Sequence, residues 1–194
     1  MYYPDWQTLT IHESSPAMRG ASERFRSQAA NYVATQYDPT LAPGVFDKAR
    51  EFRNENLEHQ TFQPESFDLV ITQDVFEHVF RPDLAIAEIA RTLRPGGAHI
   101  CTVPLTRRDE PSRRRASLVD DEVIHHLDPQ YHGNPISKDG SLVTVDWGFD
   151  ILEYFARHSG LATSMVLIDD IERGIRARYN EVLICRKSLP AALL

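Results

Sequence analysis

Short apolar runs alternate along the chain with segments whose apolar residues recur at helical spacing. Residues 67–72 and 98–103 are apolar and partly β-branched, as is typical of strands buried on both faces of a sheet. Between them Pro82 can begin a helix, and apolar residues follow at helical spacing: Ala85, Ile86, Ile89, Ala90 and Leu93. Strand, helix and strand within about 40 residues predict a βαβ unit, and therefore parallel strands with a right-handed connection.

The same patterns continue on both sides of this unit. Upstream, strands are predicted at 8–12 and 32–36 around a helix at 20–30, and a short helical piece is predicted within 40–52. Downstream, a helix that begins near Ile151 and ends at Ser159-Gly160 precedes two strands, at 162–168 and 179–185. The alternation predicts a doubly wound α/β sheet.

Composition restricts the class of protein and of partner. The chain has 194 residues, which is most simply one domain, residues 1–194, with a full core. Its formal net charge of −7 argues against nucleic acid as partner, and it contains no apolar run or leader pattern that would indicate a membrane span or export. The two cysteines, Cys101 and Cys185, lie in predicted strands, so we expect buried free thiols and a cytoplasmic location.

The segment SFDLVITQDVFEHVFRPDLAIAEIARTLRPGGAHICTVP closely resembles the second half of class I S-adenosylmethionine-dependent methyltransferases that act on small molecules. The resemblance is dense over residues 53–104 and extends to 8–38. It implies a Rossmann-like, seven-stranded, mostly parallel sheet with one antiparallel strand. It also implies S-adenosylmethionine as the cofactor and a small-molecule or carbohydrate-like acceptor.

The resemblance assigns residues to the cofactor site. Glu13 takes the acidic position after the first strand, and Ser14 and Ser15 lie in the following loop. Asp38 is the nearest match to the residue that binds the ribose hydroxyls. Asn56 and Leu57 correspond to the positions that meet the adenine through a side chain and a backbone group, and Gln73 lies at the end of the next strand, at the mouth of the sheet.

Two departures from the family pattern leave an alternative open. The loop after the first strand has serines, Pro16 and Ala17 where the family has glycines, and the chain begins immediately before the first strand, without the helices usual upstream. A degenerate relative that acts as a regulatory or scaffold subunit would fit both. A nicotinamide-dependent oxidoreductase is weaker because G-x-G-x-x-G is absent, and no metal site is predicted because His125-His126 and His132 match no recognised ligand spacing.

Residues 105–148 form an insertion that we expect to act as a substrate lid above the carboxyl edge of the sheet. It contains histidines, which can accept a proton near neutrality, and His132 is the first candidate for the general base, with His126 second. The arginines between 107 and 115 predict that the acceptor could carry an anionic group. A structural lid, whose histidines only form hydrogen bonds within the loop, is the competing interpretation.

Overall fold

The structure, a computed structural model, describes residues 3–17, 19–134 and 138–190. An eight-stranded sheet forms its centre, in the order β13-β14-β6-β5-β1-β2-β4-β3. Its strands are β1 (Thr10–Ser14), β2 (Asn31–Gln36), β3 (Phe46–Asp47), β4 (Phe52–Asn54), β5 (Phe67–Gln73), β6 (Leu93–Thr102), β13 (Ala162–Leu167) and β14 (Glu181–Arg186).

Three helices connect these strands, and a group of short strands follows β6. The helices are α1 (Ala21–Gln28), α2 (Pro82–Thr92) and α3 (Ile151–Ser159). The short strands are β7 (Arg113–Arg114), β8 (Ala116–Val119), β9 (Glu122–His125), β10 (Tyr131–His132), β11 (Ser141–Leu142) and β12 (Val145–Asp146). They pair as β8-β9, β10-β11 and β12-β7, so the segment 105–148 forms small antiparallel ladders beside the main sheet.

The pairing confirms the predicted fold class. Strands β1, β2, β4, β5 and β6 are mutually parallel, and β14 lies antiparallel between β6 and β13. These strands together with β13 give the seven-stranded arrangement that the resemblance implies. The two-residue β3, antiparallel to β4, is added at the edge.

Helices cover both faces of the sheet, and the apolar core is larger on one face than on the other. The larger core packs α2 and α3 against one face and contains the fully buried side chains of Val70, Ile86 and Phe155. On the other face, α1 and the N-terminal residues cover a smaller apolar cluster around Ile11 and Leu69. In the described part of the chain, no helix is long and apolar enough to cross a membrane.

Two local predictions differ from the structure. The helical piece expected within 40–52 is absent, and the chain there forms turns and β3. The residues Pro95-Gly96-Gly97, which the sequence predicts as the turn that ends the helix, lie inside β6, because the helix already ends at Thr92. They form an irregularity at which the pairing with β5 shifts, and Gly97 fits there because a Cβ would lie 2.8 Å from the carbonyl oxygen of Asp68.

Candidate functional site

A cleft of about 700 Å³ opens at the carboxyl ends of β1, β2, β4 and β5. This is the edge where open α/β sheets bind ligands, and β1 and β5 flank the point at which the strand order reverses. Five of the seven residues predicted for the cofactor line the cleft: Ser14, Ser15, Asn56, Leu57 and Gln73. The other two, Glu13 and Asp38, do not line it.

Glu13 lies fully buried beneath the cleft and organises its floor. Its carboxylate accepts hydrogen bonds from Ser22 Oγ at 2.6 Å, Tyr32 Oη at 2.7 Å and Gln73 Nε2 at 2.7 Å. Burial, together with the neighbouring charge and hydrogen bond of Glu13, raises the pKa of Tyr32, so this phenol remains a donor. Glu13 thus fixes the loop, the start of α1 and the end of β5 relative to one another.

The loop after β1 adopts a tight turn without the family's glycines. Ser15 has a left-handed backbone, with φ of 56°, and its amide donates to the carbonyl of Thr35 at 2.8 Å. Gly20, with φ of 61° and ψ of −118°, then precedes α1, and this combination is open only to glycine. The side chain of Ser22 accepts from the amide of Ala17 at 3.2 Å, which connects the loop to Glu13.

The β2 edge of the cleft is formed by Gln36 and Tyr37. The carboxylate of Asp38, just beyond them, accepts from the hydroxyl of Thr40 at 2.6 Å, from the amide of Thr40 at 3.0 Å and from Arg50 at 2.8 Å, and these bonds lower the pKa of Asp38 to about 2. The buried side chain of Asn54 accepts from the Asp38 amide at 2.8 Å and holds the same turn. The role of Asp38 as a ribose ligand therefore stays a prediction. Gln36 and Tyr37, just before it, are polar side chains that do line the cleft.

The turn after β4 carries Asn56 and Leu57 into the cleft. Asn56 Oδ1 accepts from the amide of Glu58 at 2.9 Å, which fixes the turn and leaves a lone pair on the same oxygen for a ligand. Glu55 beside it is buried and accepts from Arg53 Nε at 2.7 Å and the amide of Thr61 at 2.8 Å. A charged hydrogen-bond network thus holds the turn in place.

The far end of the cleft, beyond β5, combines polar and apolar side chains. Asp74 has a left-handed backbone, with φ of 53°, which turns the chain out of the sheet, and its amide donates to the Thr102 carbonyl at 3.0 Å. Partial desolvation by the neighbouring groups and the charge of Glu77 raise the pKa of Asp74, although its side chain is exposed. Around it, Val75, His78, Val79, Phe80, Leu118, Gly133, Asn134, Ser141 and Leu142 complete the lining.

The structure separates the two histidines predicted as bases. His132 lies half-buried next to the far end of the cleft, with Nδ1 3.7 Å from Glu77 Oε1, and this carboxylate raises its pKa. His126 lies exposed on the β8-β9 side, where its Nε2 and Ser117 Oγ are 2.8 Å apart, and it does not line the cleft. The role of His132 stays a prediction, and the position of His126 gives no support for one.

The arginines of the insertion are engaged by other groups of the protein. Arg107 pairs with Glu110 and Arg108 with Glu181, whereas Arg113 and Arg115 both donate to Asp146, at 3.1 and 2.9 Å. Arg114 donates to the carbonyl of Phe80 at 2.8 Å. None of them is among the residues that line the cleft, where Arg19 is the basic residue.

Several lining residues were not selected from the sequence. The lining includes three residues at or shortly after the ends of β2 and β4: Gln36, Tyr37 and Glu58. Exact strand boundaries would have indicated them as site residues. His78 carries little signal in the sequence, because an isolated Glu-His pair on a turn is more often structural than catalytic. Its significance depends on His132, which lies more than fifty residues later in the sequence.

Residues 17–101 match a family model described as a methyltransferase domain. The whole chain resembles solved methyltransferase structures. One is an S-adenosylmethionine-dependent methyltransferase from Mesorhizobium loti, with 14% identity, a TM-score of 0.62 and coverage of 95% of this chain and 93% of that chain. Another is the Burkholderia thailandensis 1,6-didemethyltoxoflavin-N1-methyltransferase with bound S-adenosylhomocysteine, with 14% identity, a TM-score of 0.57 and coverage of 93% and 72%.

A third is a Haloferax volcanii methyltransferase in complex with the activator Trm112, with 18% identity, a TM-score of 0.60 and coverage of 96% and 85%. No curated protein sequence matches the chain. The family model spans the end of the loop after β1, the strands β2 to β5 and most of β6, and the solved structures share the fold over nearly the full length. Over nearly its full length the chain therefore has the fold of class I methyltransferases, and residues 17–101 match a methyltransferase domain.

Proposed function

We propose that the protein methylates an oxygen or nitrogen atom of a small, neutral, hydroxyl-rich acceptor, such as a carbohydrate. The observation that carries the proposal is the extension of the cleft beyond the cofactor residues. Asp74, His78, Asn134 and Ser141 offer hydrogen-bonding groups there, and Leu118 and Leu142 offer apolar surface. The volume, about 700 Å³ for the whole cleft, is in the range of small-molecule sites.

The donor set fits the cofactor. When bound, S-adenosylmethionine supplies an activated methyl group on a sulfonium. Ser14 and Ser15 can donate to a carboxylate, Asn56 retains an acceptor lone pair for an adenine amino group, and Gln36 can bond ribose hydroxyls. Gln73 has one Nε2 hydrogen committed to Glu13 and its carbonyl oxygen available for a ligand.

The charges around the cleft support a neutral acceptor. The arginines of 107–115 are paired with carboxylates or carbonyls and none of them lines the cleft, which favours a neutral acceptor over the anionic one expected from the sequence. The acceptor's proton would leave where Asp74, His78 and His132 lie. The exposed carboxyl of Asp74 already accepts from the Thr102 hydroxyl at 3.2 Å, and its second oxygen is suited to a hydrogen bond with an acceptor hydroxyl.

We also propose a reducing compartment such as the cytoplasm. Cys101 and Cys185 are free and buried, and burial raises the pKa of both thiols, that of Cys185 to about 11. Buried neutral thiols of this kind pack as small apolar residues and persist where disulfides do not form.

Cofactor binding separates the enzyme from the scaffold alternative. We expect S-adenosylhomocysteine to bind in titration calorimetry, and Asn56→Phe to abolish the binding because the ring would fill the adenine end of the cleft. Asn56→Asp is the matched control, since it keeps both the bond to the Glu58 amide and an acceptor oxygen. Absence of binding by the intact protein would favour the scaffold alternative.

The acceptor class is tested with methyl-tritiated S-adenosylmethionine. The protein is incubated with a cell extract divided by ultrafiltration into a small-molecule fraction and a macromolecular fraction, with Asn56→Phe as the blank. We expect the label in small neutral compounds that an anion-exchange resin does not retain. Label in protein or nucleic acid would refute the proposal. Label in small compounds that the anion-exchange resin retains would show that the acceptor is anionic and would refute the neutral class.

A further inference from the structure

Glu77 carries a carboxylate that the protein leaves unsatisfied. It follows the turn after β5, its exposed fraction is 2%, and neither Oε1 nor Oε2 has a hydrogen-bond partner. A buried carboxylate without partners is strongly disfavoured unless a cation accompanies it. In the described part of the chain, the charged partners of Glu77 are His78 and His132, each 3.7 Å from Oε1 and thus beyond hydrogen-bond distance.

His78 is held in the tautomer that leaves a lone pair towards Glu77. Its Nδ1 lies 2.9 Å from the carbonyl oxygen of Leu142, and a carbonyl only accepts, so Nδ1 carries the hydrogen. In the neutral ring Nε2 is then unprotonated, and it is this atom that lies 3.7 Å from Glu77 Oε1. A histidine whose second nitrogen donates to a carbonyl is the usual arrangement of a metal-bound imidazole.

We propose that Glu77, His78 and His132 bind a divalent first-row transition-metal cation at the acceptor end of the cleft. One ligand atom from each residue lies within 4.8 Å of the other two. Metal–ligand bonds of about 2.1 Å require ligand atoms roughly 3.0–3.4 Å apart, so the 3.7 Å separations close by a few tenths of an ångström. Two imidazoles and one carboxylate suit Mn²⁺, Fe²⁺, Co²⁺ or Zn²⁺ better than Mg²⁺ or Ca²⁺.

The backbone around the cluster is fixed before any ligand arrives. The carbonyl of Glu77 accepts from the Thr144 amide at 2.7 Å, and the hydroxyl of Thr144 donates to the Val79 carbonyl at 2.7 Å. His132 belongs to β10, which pairs with β11 through Ser141. The two segments that supply the ligands are therefore tied together by hydrogen bonds that do not involve the ligand atoms.

The cluster borders the part of the cleft assigned to the acceptor. His78 lines the cleft, as does Gly133 next to His132, so a cation bound by three protein ligands keeps coordination positions towards it. Those positions suit an acceptor with two neighbouring oxygen atoms, such as a vicinal diol. This role rests on the proposed function, whereas the binding of the cation does not. Binding of the cation would make His132 a cation ligand in place of the general base.

Co²⁺ is the probe, because its visible absorption reports nitrogen and oxygen ligands directly. The full chain is stripped with a chelator and titrated with Co²⁺, and S-adenosylhomocysteine binding is measured in parallel on the stripped protein. We expect one equivalent of Co²⁺ to bind and the melting temperature to rise by about 5–10 °C at 100 times the dissociation constant. Glu77→Gln and His132→Ala should each weaken binding at least ~100-fold.

His158→Ala is the matched control, because this exposed histidine lies on α3 and contacts Tyr154. It should bind Co²⁺ like the wild type. Stripped Glu77→Gln should melt no lower than the stripped wild type, because the change removes a buried unpaired charge. If Glu77 served only as an ion-pair partner of an imidazolium, Glu77→Gln would melt lower with and without Co²⁺.

The outcomes separate this proposal from the proposed function. Absence of stoichiometric Co²⁺ binding, or binding that survives both Glu77→Gln and His132→Ala, overturns the cation site even when S-adenosylhomocysteine binds. Failure of S-adenosylhomocysteine to bind while Co²⁺ binds through these residues would instead overturn the enzymatic role and leave the cation site intact.

Discussion

Acidification should unfold this protein through two histidines buried in the sheet. His12 on β1 and His99 on β6 are both fully buried on the face that α2 and α3 cover. Each Nε2 lies 2.8 Å from a threonine hydroxyl of a neighbouring strand, Thr35 and Thr72 respectively, and neither Nδ1 has a partner. Burial lowers the pKa of both rings to about 3, and the charge of His12 adds to the effect at His99.

The magnitude follows from linkage between protonation and folding. The folded pKa of about 3 lies below the unfolded value of 6.5, so the stabilisation is complete above pH 6.5 and is lost as the pH falls towards 3. Each unit of difference corresponds to about 1.4 kcal/mol. Between pH 7 and pH 5 each histidine should therefore remove about 2 kcal/mol, and the two together about 4 kcal/mol, a large part of the stability of a typical domain.

Urea unfolding at pH 7, 6 and 5 measures this loss, with the fluorescence of the buried Trp147 as the signal. His99→Gln keeps a polar side chain beside Thr72 and cannot titrate, so its free energy of unfolding should fall about 2 kcal/mol less than that of the wild type. The difference between the two proteins removes the contribution of the titrating groups that do not interact with His99. A wild-type loss below about 1 kcal/mol, or the same loss in the variant, would refute the reasoning.

Three further outcomes test other parts of the structure. Gly20→Ala should lower the free energy of unfolding, measured by thermal unfolding, by about 1–3 kcal/mol. The cause is backbone strain alone, since nothing lies within 4 Å of the added Cβ. Gly133→Ala is the control, because this site is equally open but has no left-handed backbone, and its stability should change little. Lys187 donates to the carbonyls of Ala90 and Leu93 at 2.9 and 2.7 Å and so caps the end of α2. Lys187→Met should therefore lower the free energy of unfolding in urea by about 1–2 kcal/mol, and an unchanged value would contradict this capping role. His132→Ala should reduce methyl transfer on the order of 100-fold in an assay with an identified acceptor, because the imidazole is lost either as a base or as a cation ligand. His126→Ala should leave the rate nearly unchanged, and wild-type turnover in both variants would remove the insertion from the chemistry.

The sequence predicts the parts of the fold that depend on local pattern. Pro82 and the apolar spacing after it predicted the start of α2 and its buried face, and the apolar run at Phe67 located β5. The helical piece expected within 40–52 is absent, since side chains compete for that backbone: Asp47 accepts from the amides of Ala49 and Arg50, at 2.9 and 3.1 Å.

The site was predictable where it coincides with strand ends and not where it depends on long-range pairing. Asn56, Leu57 and Gln73 each follow or end a strand, and all three line the cleft. The cluster of Glu77 with His132 arises from the pairing of β10 with β11 and from the contact of His78 with Leu142. No periodicity in the sequence encodes that contact.

The β8-β9 hairpin separates the kinetics of ligand exchange from the stability of the fold. Residues 118–126 are all exposed, and Leu118 nevertheless forms part of the cleft wall. Backbone segments with so little buried surface open at a small fraction of the global unfolding free energy, and their amides exchange with deuterium first. Opening of this one hairpin can widen the acceptor end while the eight-stranded sheet stays intact. Turnover can then be limited by how fast the hairpin moves, so substitutions at its Asp120-Asp121 turn can change rates without changing the melting temperature.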